Sequence, residues 1–177
     1  MNLPNLLTLF RILLIPVFLY FLFNGFIAYA LAAFVVAGLT DAVDGAVARM
    51  TGSITELGML LDPLADKALV LSAFIALTVL GKVPAWLTIA IILRDAVIVA
   101  GSAEMYRRGR RGDIRPVVLG KATTFFLLAL IVSALAGLYL KRDLPLTAYL
   151  AWAAALLITA SSAQYLSRGY RVFIKNG

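Results

Sequence analysis

Neither cysteine nor histidine occurs anywhere in the 177 residues. Without cysteine there are no disulfides, no thiolate metal sites and no cysteine nucleophile. Without histidine, any general base has to be Asp, Glu, Lys or Tyr, and any metal ion has to be held by oxygen. Oxygen-only coordination favours Mg²⁺, Mn²⁺ or Ca²⁺ over zinc. Charge is also scarce: Asp, Glu, Lys and Arg make up 14% of the chain, where a soluble domain carries about a quarter. The difference is taken up by apolar residues, which reach 63%, with a mean hydropathy of +0.97. A particle this small cannot hide so much apolar surface in its own interior, so the bilayer must be part of its solvent.

The net charge is +7, but the basic residues fall in short segments between apolar runs. Such flanks read as orientation signals facing anionic lipid, and no nucleic-acid partner is expected. The N-terminus lacks a basic leading segment and a small-residue cleavage site, so no cleavable signal is expected. A spanning helix needs about 20 mostly apolar residues. Runs bounded by turn or charge signals predict six: Leu6–Phe23, Ala28–Arg49, Glu56–Leu80, Ala85–Tyr106, Pro116–Leu140 and Leu146–Ser167. No internal repeat or low-complexity tract is evident. The expectation is an all-α polytopic membrane protein, one domain over residues 1–177, with six transmembrane helices and an active site between helices opening to the cytoplasm.

Orientation follows from the Lys and Arg positions. With the N-terminus in the cytoplasm, the cytoplasmic ends collect Arg11, Arg49, the Arg107–Arg111 run, Arg115, Lys121, Arg168, Arg171 and Lys175. The other side keeps Lys82, Lys141 and Arg142. Both termini are therefore expected in the cytoplasm, in the cell (inner) membrane.

Four carboxylates interrupt the apolar runs: Asp41 and Asp44 in the second, Asp62 and Asp66 in the third. Each costs about 2.5–3.5 kcal/mol at the centre of a membrane helix, so something must compensate them. Spacings of three and four place each pair on one helix face. The two helices are consecutive and joined through Met50–Thr55, which brings the pairs to similar depth. Four converging carboxylates repel unless cations sit among them, and two divalent ions would balance them. Gly45, Ala48 and Gly58 clear space nearby, and Arg49 suits bidentate contact with phosphate. Together these residues describe a diphosphate site. A single membrane carboxylate is often a helix-pairing or proton-relay residue, and Asp95 beside Arg94 reads equally as an intramembrane ion pair. From another class, a divalent-cation transporter also places carboxylates in membrane helices, usually with broken helices or repeats. Neither is evident here.

The stretch Asp41-Ala-Val-Asp44-Gly45-Ala-Val-Ala48-Arg49, eight residues, Gly58, three residues, Asp62, three residues, Asp66 resembles the signature of the CDP-alcohol phosphatidyltransferases, D-x2-D-G-x2-A-R-x8-G-x3-D-x3-D. All eight fixed positions agree. The opening Leu3-Pro4-Asn5-Leu6-Leu7-Thr8 with Arg11 resembles the family's first segment. Leu61–Lys67 and Leu119-Gly120-Lys121 resemble its glycerolipid branch.

The resemblance implies a phospholipid-synthesising transferase that uses two divalent cations, Mg²⁺ or Mn²⁺. It implies Asp41, Asp44, Asp62 and Asp66 as metal ligands, with Asp66 also the base on the acceptor hydroxyl. Gly45, Ala48, Arg49 and Gly58, with Asn5 and Thr8, would contact or make room for the CDP moiety. Arg11 is split between that nucleotide end and an interfacial anchor. Arg94, Arg115, Lys121 and Lys67 are candidates for acceptor or phosphate binding. The donor would be CDP-diacylglycerol, and relatives of this kind often form homodimers. Two acceptors fit: phosphatidylglycerol, giving cardiolipin, and glycerol 3-phosphate, giving phosphatidylglycerophosphate. The glycerol 3-phosphate branch pairs Arg with Glu in the fourth helix and carries a further Arg eight residues on. Here those positions are Arg94-Asp95 and Ser102, so phosphatidylglycerol is the favoured acceptor.

Overall fold

The computed structural model describes the backbone of residues 3–51, 56–107 and 118–174, and the side chains of residues 9–40, 67–99 and 119–164. The described residues form six α-helices and no strand: α1 (Leu3–Phe23), α2 (Ile27–Thr51), α3 (Glu56–Val79), α4 (Ala85–Arg107), α5 (Val118–Tyr139) and α6 (Pro145–Ile174). The largest departures from the predicted bounds are at α1 and α6. Helix α1 starts at Leu3 rather than Leu6 because Pro4 is tolerated in a first turn, where its missing N–H would have had no partner. Pro145 opens α6 for the same reason, and α6 runs past Ser167 to Ile174. The length limit behind the shorter prediction belongs to the bilayer, and Arg168 and Arg171 are good helix formers outside it.

Helices α1, α3 and α5 each end at a residue with positive φ: Gly25 (78°), Gly81 (70°) and Lys141 (52°). After α1, Gly25 N–H donates to Leu22 O at 3.2 Å and Phe26 N–H to Phe21 O at 2.9 Å. After α5, Lys141 N–H donates to Leu138 O at 3.2 Å and Arg142 N–H to Gly137 O at 3.0 Å. This paired pattern satisfies the last helical carbonyls and reverses the chain sharply. Glycine carries the left-handed conformation easily; Lys141 does so at a cost.

The chain divides into two compact units, one of Met1–Leu80 with Leu135–Asp143 and the other of Gly81–Ala134 with Leu144–Gly177. In the first, α1 packs against both α2 and α3. Phe18 and Leu22 of α1 are buried, as are Ala30, Ala33, Phe34 and Ala37 of α2 and Leu69, Ala73, Phe74 and Leu77 of α3. The alanines recur at helical spacing and allow close approach of the neighbouring helix. The Phe18 and Phe34 rings meet with centroids 5.8 Å apart. In the second unit α4 packs against α6, with the Trp86 and Trp152 rings 5.8 Å apart.

Two stretches, Leu119–Tyr139 and Pro145–Gln164, are long and apolar enough to cross a membrane. Shorter apolar stretches cover Leu9–Phe23, Ile27–Thr40 and Lys67–Val79. Leu13, Tyr20, Leu39, Val79, Leu93, Phe125 and Leu156 all stand more than half exposed. An apolar surface that broad marks a membrane protein.

Candidate active site

The signature residues occupy the two helices that follow α1. Asp41, Asp44, Gly45, Ala48 and Arg49 lie on α2, and Gly58, Asp62 and Asp66 on α3. Both segments are continuous α-helix, so the spacings of three and four keep each carboxylate pair on one face. Asp41 lies ten residues before the last residue of α2, and Asp66 ten residues after the first of α3. At 1.5 Å per residue both stand about 15 Å from the connection between the helices. Asp44 and Asp62 lie seven and six residues from it. The helical register therefore sets the two pairs at matching distances from the connection on consecutive helices.

The side chains of these residues lie outside those described, as do those of Asn5 and Thr8, whose backbone belongs to α1. Arg115 lies wholly outside the described residues. Lys67 follows Asp66 directly and is half-buried.

Arg11 is fully buried, at 1% exposure. That separates its two sequence readings, because an interfacial anchor keeps its charged head in water. It shares the buried stripe of α1 with Phe18 and Leu22, seven and eleven residues on.

Lys121 and Arg94 belong to the second unit. Lys121, on α5, is exposed, whereas Arg94, on α4, is buried. Arg94 Nη1 donates to Asp95 Oδ1 at 3.1 Å, so the adjacent pair is an ion pair, with Asp95 about one-third exposed. Its Nε is buried with no hydrogen-bond acceptor among the described residues. One polar contact had no sequence signal beyond two ordinary hydroxyls: Ser133 of α5 and Thr147 of α6 hydrogen-bond at 2.8 Å.

Comparison with known proteins identifies the family. A family model described as CDP-alcohol phosphatidyltransferase matches residues 1–160, a span that includes every signature position. A probable phosphatidylglycerophosphate synthase of Mycobacterium tuberculosis (strain ATCC 25618 / H37Rv) is 36% identical over 96% of this chain and 82% of its own length. A CDP-diacylglycerol–glycerol-3-phosphate 3-phosphatidyltransferase of Bacillus subtilis (strain 168) is 33% identical over 96% of this chain and 95% of its own. A CMP-forming cardiolipin synthase of Rattus norvegicus is 33% identical over 92% of this chain and 59% of its own. With the full signature set on two consecutive helices and a family match over most of its length, this chain belongs to the CDP-alcohol phosphatidyltransferase family.

Proposed function

We propose that the chain is a multi-pass membrane enzyme that transfers the phosphatidyl group of CDP-diacylglycerol to the hydroxyl of phosphatidylglycerol, forming cardiolipin and CMP. The observation that carries the chemistry is the matching distance of Asp41/Asp44 and Asp62/Asp66 from the connection on consecutive helices. Four carboxylates in a chain without histidine or cysteine are a hard-oxygen donor set, which suits two ions such as Mg²⁺ or Mn²⁺. Held by Asp41, Asp44, Asp62 and Asp66, the ions would neutralise the diphosphate and ease the departure of CMP.

The remaining work falls to the chain's own groups. Arg49, Gly45, Ala48 and Gly58 bind and make room for the CDP moiety, with Asn5 and Thr8 at its nucleotide end. Asp66 accepts the proton of the acceptor hydroxyl as that oxygen attacks the phosphorus bearing diacylglycerol. The bond from this phosphorus to the bridging oxygen breaks, and CMP leaves with the electron pair. Lys67, Lys121 and Arg115 supply positive charge for acceptor phosphate.

Arg94 supports phosphatidylglycerol as the acceptor. Its charge is already balanced by Asp95 at 3.1 Å, which suits a phosphodiester better than a free phosphate dianion. The buried Arg94 Nε is still available for one hydrogen bond to such an acceptor. The M. tuberculosis and B. subtilis relatives favour a second reading, with glycerol 3-phosphate as acceptor and the same chemistry. Purified protein given CDP-diacylglycerol and each acceptor separately distinguishes them. Cardiolipin is expected from phosphatidylglycerol; product from glycerol 3-phosphate alone would refute the acceptor assignment.

All six helices cross the membrane in this reading, with both termini in the cytoplasm. The family match runs through both compact units, which supports one catalytic domain over residues 1–177. Relatives of this kind often form homodimers, and cross-linking in membranes tests whether this chain does. Because the chain has no native cysteine, Gly109→Cys gives a single thiol in the basic segment. It should resist an impermeant thiol reagent in intact cells, and ready labelling from outside would reverse the orientation.

A further inference from the structure

Among the described residues of the first unit, Arg11 is the single buried charged side chain, and it is 1% exposed. It lies on the stripe of α1 that also buries Phe18 and Leu22, and α1 packs against both helices that carry the signature carboxylates. Its height is set by the turn at Gly25. Arg11 stands twelve residues before the last residue of α1, and Leu39 twelve residues after the first of α2. Asp41 is two residues beyond Leu39, so Arg11 and Asp41 differ in height by about 3 Å. Asp66 shares the height of Asp41 through the second connection. Glu56, the acidic residue on α3 outside the signature, opens that helix ten residues away from Asp66.

We propose that Arg11 is a built-in counter-charge to the carboxylate cluster: a positioning residue that holds the cluster together without metal and weakens its grip on the divalent ions. A guanidinium stays protonated at any working pH, and burying it is unfavourable unless an anion at similar depth compensates it. The carboxylates nearest its height on the helices packed against α1 are Asp41 and Asp66. Conversely, four carboxylates within about one helical turn of each other repel when no cation is among them, and one fixed positive charge relieves part of that repulsion. The same charge repels an arriving divalent ion, so it sets an upper limit on metal affinity. This inference rests on the metal-binding role proposed for the cluster.

The test uses the purified full chain in detergent, without substrate. Free Mn²⁺ is followed by electron paramagnetic resonance during titration, and thermal unfolding is recorded in chelator and in saturating Mn²⁺. Arg11→Met should bind Mn²⁺ about tenfold more tightly than the parent protein, as removal of a nearby positive charge requires. It should also melt lower in chelator and gain more from Mn²⁺. Arg11→Lys keeps the charge and should stay within about threefold of the parent affinity. Unchanged or weaker Mn²⁺ binding by Arg11→Met would overturn the proposal. Folding of Arg11→Met only when Mn²⁺ is present would support it. Should that variant fold in neither condition, Asp41→Asn is added to the same chain: recovery in chelator supports the counter-charge, and no recovery overturns it. Absence of Mn²⁺ binding by the parent protein would remove the metal-binding role itself and this inference with it.

Discussion

The two compact units bury polar groups of different kinds. In the first, Arg11 is the only buried polar side chain among those described, and the signature carboxylates lie on α2 and α3, the helices packed against α1. In the second, the buried polar side chains are Thr88, Thr123, Ser133 and Ser161, together with Arg94. Hydroxyls can be satisfied inside a helix. Thr123 Oγ1 donates to Leu119 O at 2.7 Å, and Ser161 Oγ to Ile158 O at 3.1 Å. Ser133 is satisfied by Thr147 on the neighbouring helix, and Arg94 pairs through Nη1 with the adjacent Asp95. Under the proposed function, the carboxylates of α2 and α3 would instead take divalent cations from outside. In the proposed reading the first unit's carboxylates serve ligand and catalysis, whereas the second unit's buried hydroxyls are satisfied within its own helices.

The contrast breaks most visibly under metal removal. Excess chelator should abolish transfer, and Mg²⁺ or Mn²⁺ should restore it; full turnover in metal-free buffer would dissolve the distinction between the units. Next in size is the base. Asp66→Asn should keep CDP-lipid binding while lowering the transfer rate by at least about 10²-fold, the usual scale for a lost general base. Asp41→Asn should weaken Mn²⁺ binding as well, and measuring rate and metal affinity together separates the two carboxylates.

Variants in the second unit should act on stability. Ser133→Ala should cost about 0.6–1 kcal/mol, the range for an interhelical hydroxyl bond in membrane proteins. A double-mutant cycle with Thr147→Val, read by thermal unfolding in detergent, should show most of that cost as coupling, with turnover within about twofold of the parent. A large loss of activity without loss of stability would place this pair in the catalytic apparatus instead.

A further set of effects on stability concerns the turns that set helix register. A Cβ at Gly25 would meet no atom within 4 Å, so Gly25→Ala is opposed by its φ of 78° alone. It should cost about 1–2 kcal/mol. Lys141→Gly works in the opposite direction. It relieves a similar strain at φ 52°, and loses about 0.3–1 kcal/mol of favourable cation–helix interaction. A net gain of up to about 1 kcal/mol is expected from thermal unfolding.

Helix positions were legible in the sequence because apolar length and turn residues report them directly. Asn24-Gly25 and Gly81-Lys82 marked the ends of α1 and α3, and both glycines adopt the left-handed conformation there. The end of α6 was read short because the bilayer, not the helix, limits an apolar run. The carboxylate pairs were legible because spacing along a helix converts into a shared face without knowledge of any neighbour.

The sequence by itself determined that any metal ligand must be oxygen, the helical spacing of the four carboxylates and the family, since each depends on residue type and local periodicity. Packing decided the rest. Arg11 reads equally as an anchor or a site residue until α1 is placed against α2 and α3, because burial belongs to what surrounds a side chain. Arg94-Asp95 became an ion pair, and Ser133 found Thr147, only once rotamers and helix contacts were set. Such contacts join groups whose separation in space is independent of their separation along the chain.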